Sequence, residues 1–294
     1  MLALALLSLA GCAAERDTHP KGLSAPAVNA YDEIGFPLSD YIFSIQEKTD
    51  LENAARLTVA DCMRDRGYPV DWPARNPQGA TWRLYGVIDI RDAKELGYQA
   101  RLPEGMTGQD ADAAEKNERD GLFAGWSAEK KLAYEGNAPE ATGAPSAGAT
   151  ADASGGNGCR DTAAGFHPAD GTGSDAAEAL QGKVGQKVEE QRAAKDSTAT
   201  WSSCMKAAGY DYKGPWDAND SPEWHGEQHP GERQKAVATA DARCKLSSNW
   251  VGIRVALEKQ YESDAIRDNL DKLKENKARD TKLLEQARAV IARH

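Results

Sequence analysis

The pattern C-M-x-x-x-G-Y occurs twice, as Cys62-Met63-Arg64-Asp65-Arg66-Gly67-Tyr68 and as Cys204-Met205-Lys206-Ala207-Ala208-Gly209-Tyr210. Each copy closes a stretch of helical periodicity. Before the first, Tyr41, Ile42, Ile45, Ala55, Val59, Cys62 and Met63 fall largely at three- and four-residue steps, with Ser39 placed as N-cap. Before the second, Val184, Val188, Trp201, Cys204, Met205 and Ala208 trace a weaker stripe. The glycine stands where a helix ends in a left-handed residue, and the tyrosine after it folds back onto the last turn. Cysteine and methionine then share one face near a helix C-terminus, where the dipole disfavours a thiolate. No C-x-x-C occurs anywhere. These cysteines read as structural staples, not redox catalysts.

The fifth cysteine has another role. Met1 to Leu9 are almost entirely apolar, and Leu9-Ala10-Gly11-Cys12 follows at once. Such a run is too short to span a bilayer, which takes about 20 apolar residues, but it suits the apolar core and cleavage site of a secretory signal peptide. Leu-Ala-Gly-Cys is the lipobox pattern, in which the preceding peptide is removed and the cysteine takes a thioether-linked diacylglycerol. Residues 1–11 are therefore read as signal peptide and Cys12 as the lipidation site. No Lys or Arg precedes the apolar run, so the basic segment of a signal peptide is expected upstream of Met1. Cys62, Cys159, Cys204 and Cys244 remain, an even set that suits an oxidising compartment, and four cysteines allow three connectivities. The order of the motifs favours Cys62–Cys159 and Cys204–Cys244, because each C-M helix then has a partner that follows it before the next repeat begins.

The chain has 294 residues, a formal charge of −10 and only 7% aromatic residues. The core is correspondingly thin. The acidic balance argues against nucleic acid as partner and against adhesion of the protein surface to anionic headgroups. Residues 12–35 read as a flexible tether, and residues 135–158, a Gly/Ala/Pro/Ser tract, as a disordered linker. Met106 to Asp120 is nearly as polar. Between these lie a short helix capped by Ser127 and ended at Gly136, a strand over Thr81 to Ile88, and a helix from Asp89 to Leu96 closed by Gly97-Tyr98. A helix is expected from about Gly231 to Ser247. From Trp250 there follows either one long helix with a polar middle or two joined near Asn276. The expected fold is mainly α: one disulfide-stapled helical domain over 36–294, with a long C-terminal helix and irregular aromatic/Pro loops.

Catalytic signatures are few. His225-Gly226-Glu227-Gln228-His229 superficially resembles a zincin motif, but its Glu stands third and Gly226 and Pro230 flank it. A zincin needs Glu second on a continuous helix. Ser127-Ala128-Glu129-Lys130 matches S-x-x-K without the companion S-D-N or K-T-G, and a helix N-cap accounts for it. No cofactor and no metal is implied. Trp72, Trp82, Trp216 and Trp224 offer rings for sugars, and Asp71, Asp217, Asp220 and Glu223 offer carboxylates for acid–base work. Loop packing and solvation explain the same residues.

Taken in order, the lipobox, Phe36-Pro37-Leu38-Ser39-Asp40-Tyr41, the first C-M motif, Leu84-Tyr85-Gly86-Val87-Ile88-Asp89, Gly97-Tyr98-Gln99, Trp201-Ser202-Ser203-Cys204-Met205 and Ala240-Asp241-Ala242-Arg243-Cys244-Lys245 suggest a family. The chain resembles a group of actinobacterial secreted lipoproteins with paired C-M-x-x-x-G-Y motifs. That resemblance implies an extracytoplasmic location, an anchored Cys12 and structural disulfides, and brings across no catalytic residue. The expected function is a non-enzymatic binding or structural module of the cell envelope, held to the membrane through lipid on Cys12, with an envelope protein or glycan as partner. The alternative is an envelope enzyme acting on glycan or peptidoglycan.

Overall fold

A computed structural model describes residues 23–72, 74–75, 84–99, 123–136, 158–166, 174–224 and 229–294. Cys12, the signal peptide, Trp82, His225, Met106 to Asp120 and most of the 135–158 linker lie outside the described residues. The chain is mainly α-helical, with no strand element among the described residues and a long C-terminal helix, as expected.

Local capping chemistry sets the helix starts. α1 (Ile45–Asp65) begins at Ser44, not Ser39. Ser44 and Glu47 form a reciprocal capping box: the Glu47 N–H donates to Ser44 Oγ at 3.2 Å, and the Ser44 N–H donates to Glu47 Oε2 at 2.8 Å. Ser39 has no acidic residue three positions on, and it lies in a 3-10 turn, Pro37–Tyr41. α2 (Ile90–Leu96) starts at Asp89 and α3 (Ala128–Glu135) at Ser127, each cap side chain accepting a backbone N–H of the first turn. Gly97 and Gly136 end them at positive φ. All four residues hold the places read from the sequence.

The second apolar stripe divides into two helices, α4 (Ser174–Glu190) and α5 (Arg192–Ala207), with Gln191 extended between them. A short α6 (Pro215–Asn219) leads to α7 (Glu232–Ser247), and α8 (Trp250–Ile291) runs for 42 residues. α8 is the beam against which α1, α4, α5 and α7 pack. Its start meets Trp201, Met205 and Val237 through Trp250, Val251 and Val255. Further along, Leu257 and Tyr261 pack on Val184 and Val188, Leu273 on Ala177 and Leu38, and Leu284 and Ala287 on Leu51 and Ala54 of α1. The backbone leaves helical geometry at Asn269 (φ −125°, ψ 16°), so the join expected near Asn276 stands earlier.

Arg254 explains why α4 and α5 can part and still pack. It is 2% exposed. Its guanidinium grips Glu189 at the end of α4 with bonds of 2.6 and 2.8 Å, and on α5 it donates to Ser197 Oγ and Thr198 Oγ1 at 3.1 and 3.0 Å. It also lies 3.7 Å over the Trp250 ring.

Two further expectations are corrected. The tether read over 12–35 ends earlier: Val28 is buried with Trp250 and Val251, Tyr31 and Ile34 pack on the same cluster, and Asn249 Nδ2 donates to the Ala25 carbonyl at 2.7 Å. Its scattered apolar residues lack a period yet fit one groove. The strand read over 81–88 is not formed over 84–88, which runs as a turn and irregular chain. The carbonyls of Tyr85 and Val87 accept instead from Lys245 Nζ at 2.9 and 3.1 Å.

Both C-M repeats end in the same geometry. Gly67 and Gly209 have φ of 83° and 91°. The Tyr68 N–H donates to the Met63 carbonyl at 2.8 Å, and the Tyr210 N–H to the Met205 carbonyl at 2.9 Å. The glycine N–H groups reach Arg64 and Lys206, completing a Schellman cap at each helix end. Gly67→Ala and Gly209→Ala should each destabilise the oxidised protein by about 1–2 kcal/mol, since a Cβ is disfavoured at left-handed φ. Urea unfolding with both disulfides intact reads this out, and an unchanged midpoint in either variant contradicts it.

Candidate functional site, a basic groove over a buried Asp–Lys pair

The cysteines pair as the motif order favoured. Cys62 bonds Cys159 across a separation of 97 residues and Cys204 bonds Cys244 across 40, each with Cα atoms 5.6 Å apart. Closing loops of this length stabilises by about 4–5 kcal/mol each in the chain-entropy account. Beside each bridge the methionine of the repeat is fully buried. The first bridge is delivered by Gly158, which presses so closely on the backbone of Tyr134–Gly136 that a Cβ would collide with it. That requirement has no local signature in the sequence.

The second bridge ties α5 to α7, and α7 presents two faces. Its inner face carries Asp241 and Lys245, both fully or almost fully buried. Lys245 Nζ meets Asp241 Oδ2 at 2.9 Å, and the Trp201 indole N–H donates to Asp241 Oδ1 at 2.9 Å. With the Tyr85 and Val87 carbonyls, the ammonium has three acceptors, which offsets the desolvation of the pair. Gly86 beneath it takes a left-handed φ of 65°, which favours glycine, and a Cβ there would stand tightly at 3.1 Å from Lys245 Nζ. Burial pushes the Asp241 carboxyl up, while Lys245 and Trp201 pull it down.

Its outer face lines an open groove of about 480 Å³. Lys235, Thr239 and Arg243 rise from α7, Lys94 from α2, and Tyr210 from the Schellman turn of α5. Lys235 pairs loosely with Glu232 at 3.5 Å. Lys94 and Arg243 are exposed and form no ion pair among the described residues. Three cations thus gather on a chain of charge −10. The disulfide and the buried pair fix the helix that carries most of them.

A second titratable cluster lies nearby. The Tyr85 hydroxyl donates to Glu258 Oε2 at 2.8 Å. Burial pushes the Glu258 carboxyl up to about 7, with the Glu262 and Glu189 charges adding to that and the Tyr85 bond and Arg254 opposing it. Burial also raises Glu262, whose Oε2 accepts the Leu38 N–H at 2.8 Å.

Among the described residues, most of those read as a possible sugar site are put to other uses, and Trp82 lies outside them. Trp72 lies edge-on to Tyr134 under Arg56, in the core of the first disulfide. Trp224 is buried, stacked on Tyr98, and its indole donates to the Ala218 carbonyl. Trp216 is 44% exposed. Asp217 accepts the Gly214 N–H that opens α6, Asp220 accepts from Asn219 Nδ2, and Glu223 pairs with Arg233 at 2.7 Å. Asp71 is exposed away from them on the α1 side. His229 is exposed in the turn before α7. Sequence reasoning missed the basic groove: Lys235, Thr239 and Arg243 keep helical spacing, but Lys94 and Tyr210 join them only in three dimensions. The chain matches no known protein family, no curated protein and no solved structure.

Lys245→Met should cost about 3–5 kcal/mol, because Asp241 and the two carbonyls stay buried without the ammonium that offsets their desolvation. The double variant with Asp241→Leu should stay destabilised, since the Tyr85 and Val87 carbonyls still lack their donor; full recovery in thermal unfolding contradicts this.

The Glu258 shift has a defined sign. The folded state holds its proton up to about pH 7, whereas the unfolded chain releases it near 4.5. Stability from this group is therefore complete below about pH 4.5 and lost as pH rises to about 7. Glu258→Gln should flatten that decline in urea midpoints measured across the range, and an unaltered slope contradicts the assignment.

Proposed function

We propose that the protein is an extracytoplasmic lipoprotein, held to the membrane through diacylglycerol on Cys12, whose helical body serves as a non-enzymatic binding module of the cell envelope. The observation that carries this is the closure of Cys62–Cys159 and Cys204–Cys244, because bridges of this kind persist in oxidising compartments. The remaining cysteine stands in Leu9-Ala10-Gly11-Cys12, where export and lipidation meet. Binding is favoured over chemistry because three of the four loop carboxylates offered for glycan hydrolysis are taken up locally: Asp217 by the Gly214 N–H, Asp220 by the Asn219 amide and Glu223 by Arg233. The groove of Lys94, Lys235 and Arg243 gives the module a face of opposite charge to its own chain, suited to an acidic envelope partner.

Metabolic labelling with an alkyne fatty acid tests the anchor. The wild type should be labelled and partition with membranes, and Cys12→Ser should do neither. Equal labelling of the two would falsify it.

A further inference from the structure

The groove over the buried Asp241–Lys245 pair is walled by parts fixed to one another. α7 is its floor, with Lys235 and Arg243 eight residues apart, about 12 Å along the helix axis. α2 forms one wall and carries Lys94. Its end is tied to α7, because the Tyr98 N–H donates to the buried Gln234 Oε1 at 3.1 Å and Gly97 packs directly on the same side chain. The Schellman turn of α5 forms the other wall and carries Tyr210, and the Cys204–Cys244 bridge joins that wall to the residue after Arg243. The cations are thus mounted on a braced frame. The cleft between α4 and α8, of about 260 Å³, lacks this: over a buried Leu273 it offers charge only from the exposed Lys183 and Lys272.

The groups that the groove leaves unengaged are donors. Lys94 and Arg243 are exposed and form no ion pair among the described residues. Glu232 is the one carboxylate among the lining residues, and Lys235 stands 3.5 Å from it. The Thr239 hydroxyl is spent on the Lys235 carbonyl at 2.7 Å. Between the cations lie Ala236 and Ala240, whose short side chains leave an apolar strip. An extended peptide would bring a backbone N–H at each residue and meet few acceptors here. A chain of phosphodiesters linked by short polyols brings acceptor oxygens and repeated charge, and its methylenes can lie on the alanines. The guanidinium fork of Arg243 matches two phosphate oxygens at once.

We propose that this groove binds an anionic polymer of polyol phosphates, laid along α7 with its phosphates on Lys235, Arg243 and Lys94 and its carbons on Ala236 and Ala240. The inference rests on the reading of the groove as the face for an acidic envelope partner, and it names the chemistry of that partner. The anchor at Cys12 contributes no group to it.

Calorimetric titration of the full chain carrying Cys12→Ser with a hexamer of glycerol phosphate tests the proposal, beside hexaglutamate of comparable charge. The hexamer should saturate one site and bind at least tenfold tighter than hexaglutamate. Three neutralised phosphates should give log K a slope of about −2 against log salt, at about 0.7 per phosphate as for single-stranded nucleic acids. Lys94→Gln and Arg243→Gln, both surface changes, should each reduce that slope by about 0.7 and weaken binding about three- to tenfold. Lys282→Gln, exposed beside the contact of α8 with α1, should alter neither. Vesicles of phosphatidylglycerol, which present the same phosphodiester on a surface, should not retain the protein. Retention by the vesicles, unchanged affinity in Lys94→Gln and Arg243→Gln, or an equal loss in Lys282→Gln would overturn the site. Hexaglutamate binding as tightly as the hexamer would overturn the polymer and leave the acidic-partner reading standing, whereas no saturable binding of either probe would remove both.

Discussion

The turn-back at the end of a helix organises this molecule twice. At Gly67 and at Gly209 the chain takes a left-handed residue, and the next N–H closes onto the methionine carbonyl. That places cysteine and methionine on one inward face with the tyrosine folded over them, and a core grows around each. Around Cys62 and Met63 gather Cys159, Trp72, Trp126 and Tyr134. Around Cys204 and Met205 gather Cys244, Trp201, Trp224 and Trp250. With an aromatic content of 7%, neither core is large. A covalent bridge and a buried methionine at each helix end make up the difference, and α8 touches the elements of both.

Polar groups complete what apolar area leaves undone. Arg254 spans the gap between α4 and α5, Lys245 holds the 84–88 segment by its carbonyls, and Glu262 takes the Leu38 N–H. Each is a long side chain whose stem packs while its head satisfies backbone or a counter-charge. In a thin core such ties replace strand pairing and interdigitated rings. They also make the interior responsive to charge, since Glu258 is raised by the same burial.

The two cavities differ in how they are built. The groove on α7 is open and cationic, on a helix locked from behind by a disulfide and an ion pair. The cleft between α4 and α8 is smaller, with an orphaned amide and a break in the helix beside it. Of the Trp residues grouped in reading the sequence, Trp72 and Trp224 serve packing, each in a different core.

The sequence by itself determined the mainly helical class, both repeat endings and the caps at Asp89 and Ser127, and the order of its motifs favoured the pairing of the cysteines that the structure shows. These rest on interactions within a turn or two, or on the order of repeated motifs, so local pattern suffices. The true start of α1 was also written there, in the Ser44–Glu47 capping box, but an apolar stripe running through Tyr41 and Ile42 obscured it. Only the tertiary structure decided that 84–88 is not a strand, because its backbone partner, Lys245, is 160 residues from Tyr85. The same holds for residues 23–35, which pack against α8 without any period of their own. Both cavities are likewise tertiary: Lys94 and Arg243 line one, and Lys183 and Asn276 the other, from segments that no local rule relates. A side chain's neighbours along the helix are set by 3.6 residues per turn, whereas its neighbours across a cleft are set by how whole helices pack.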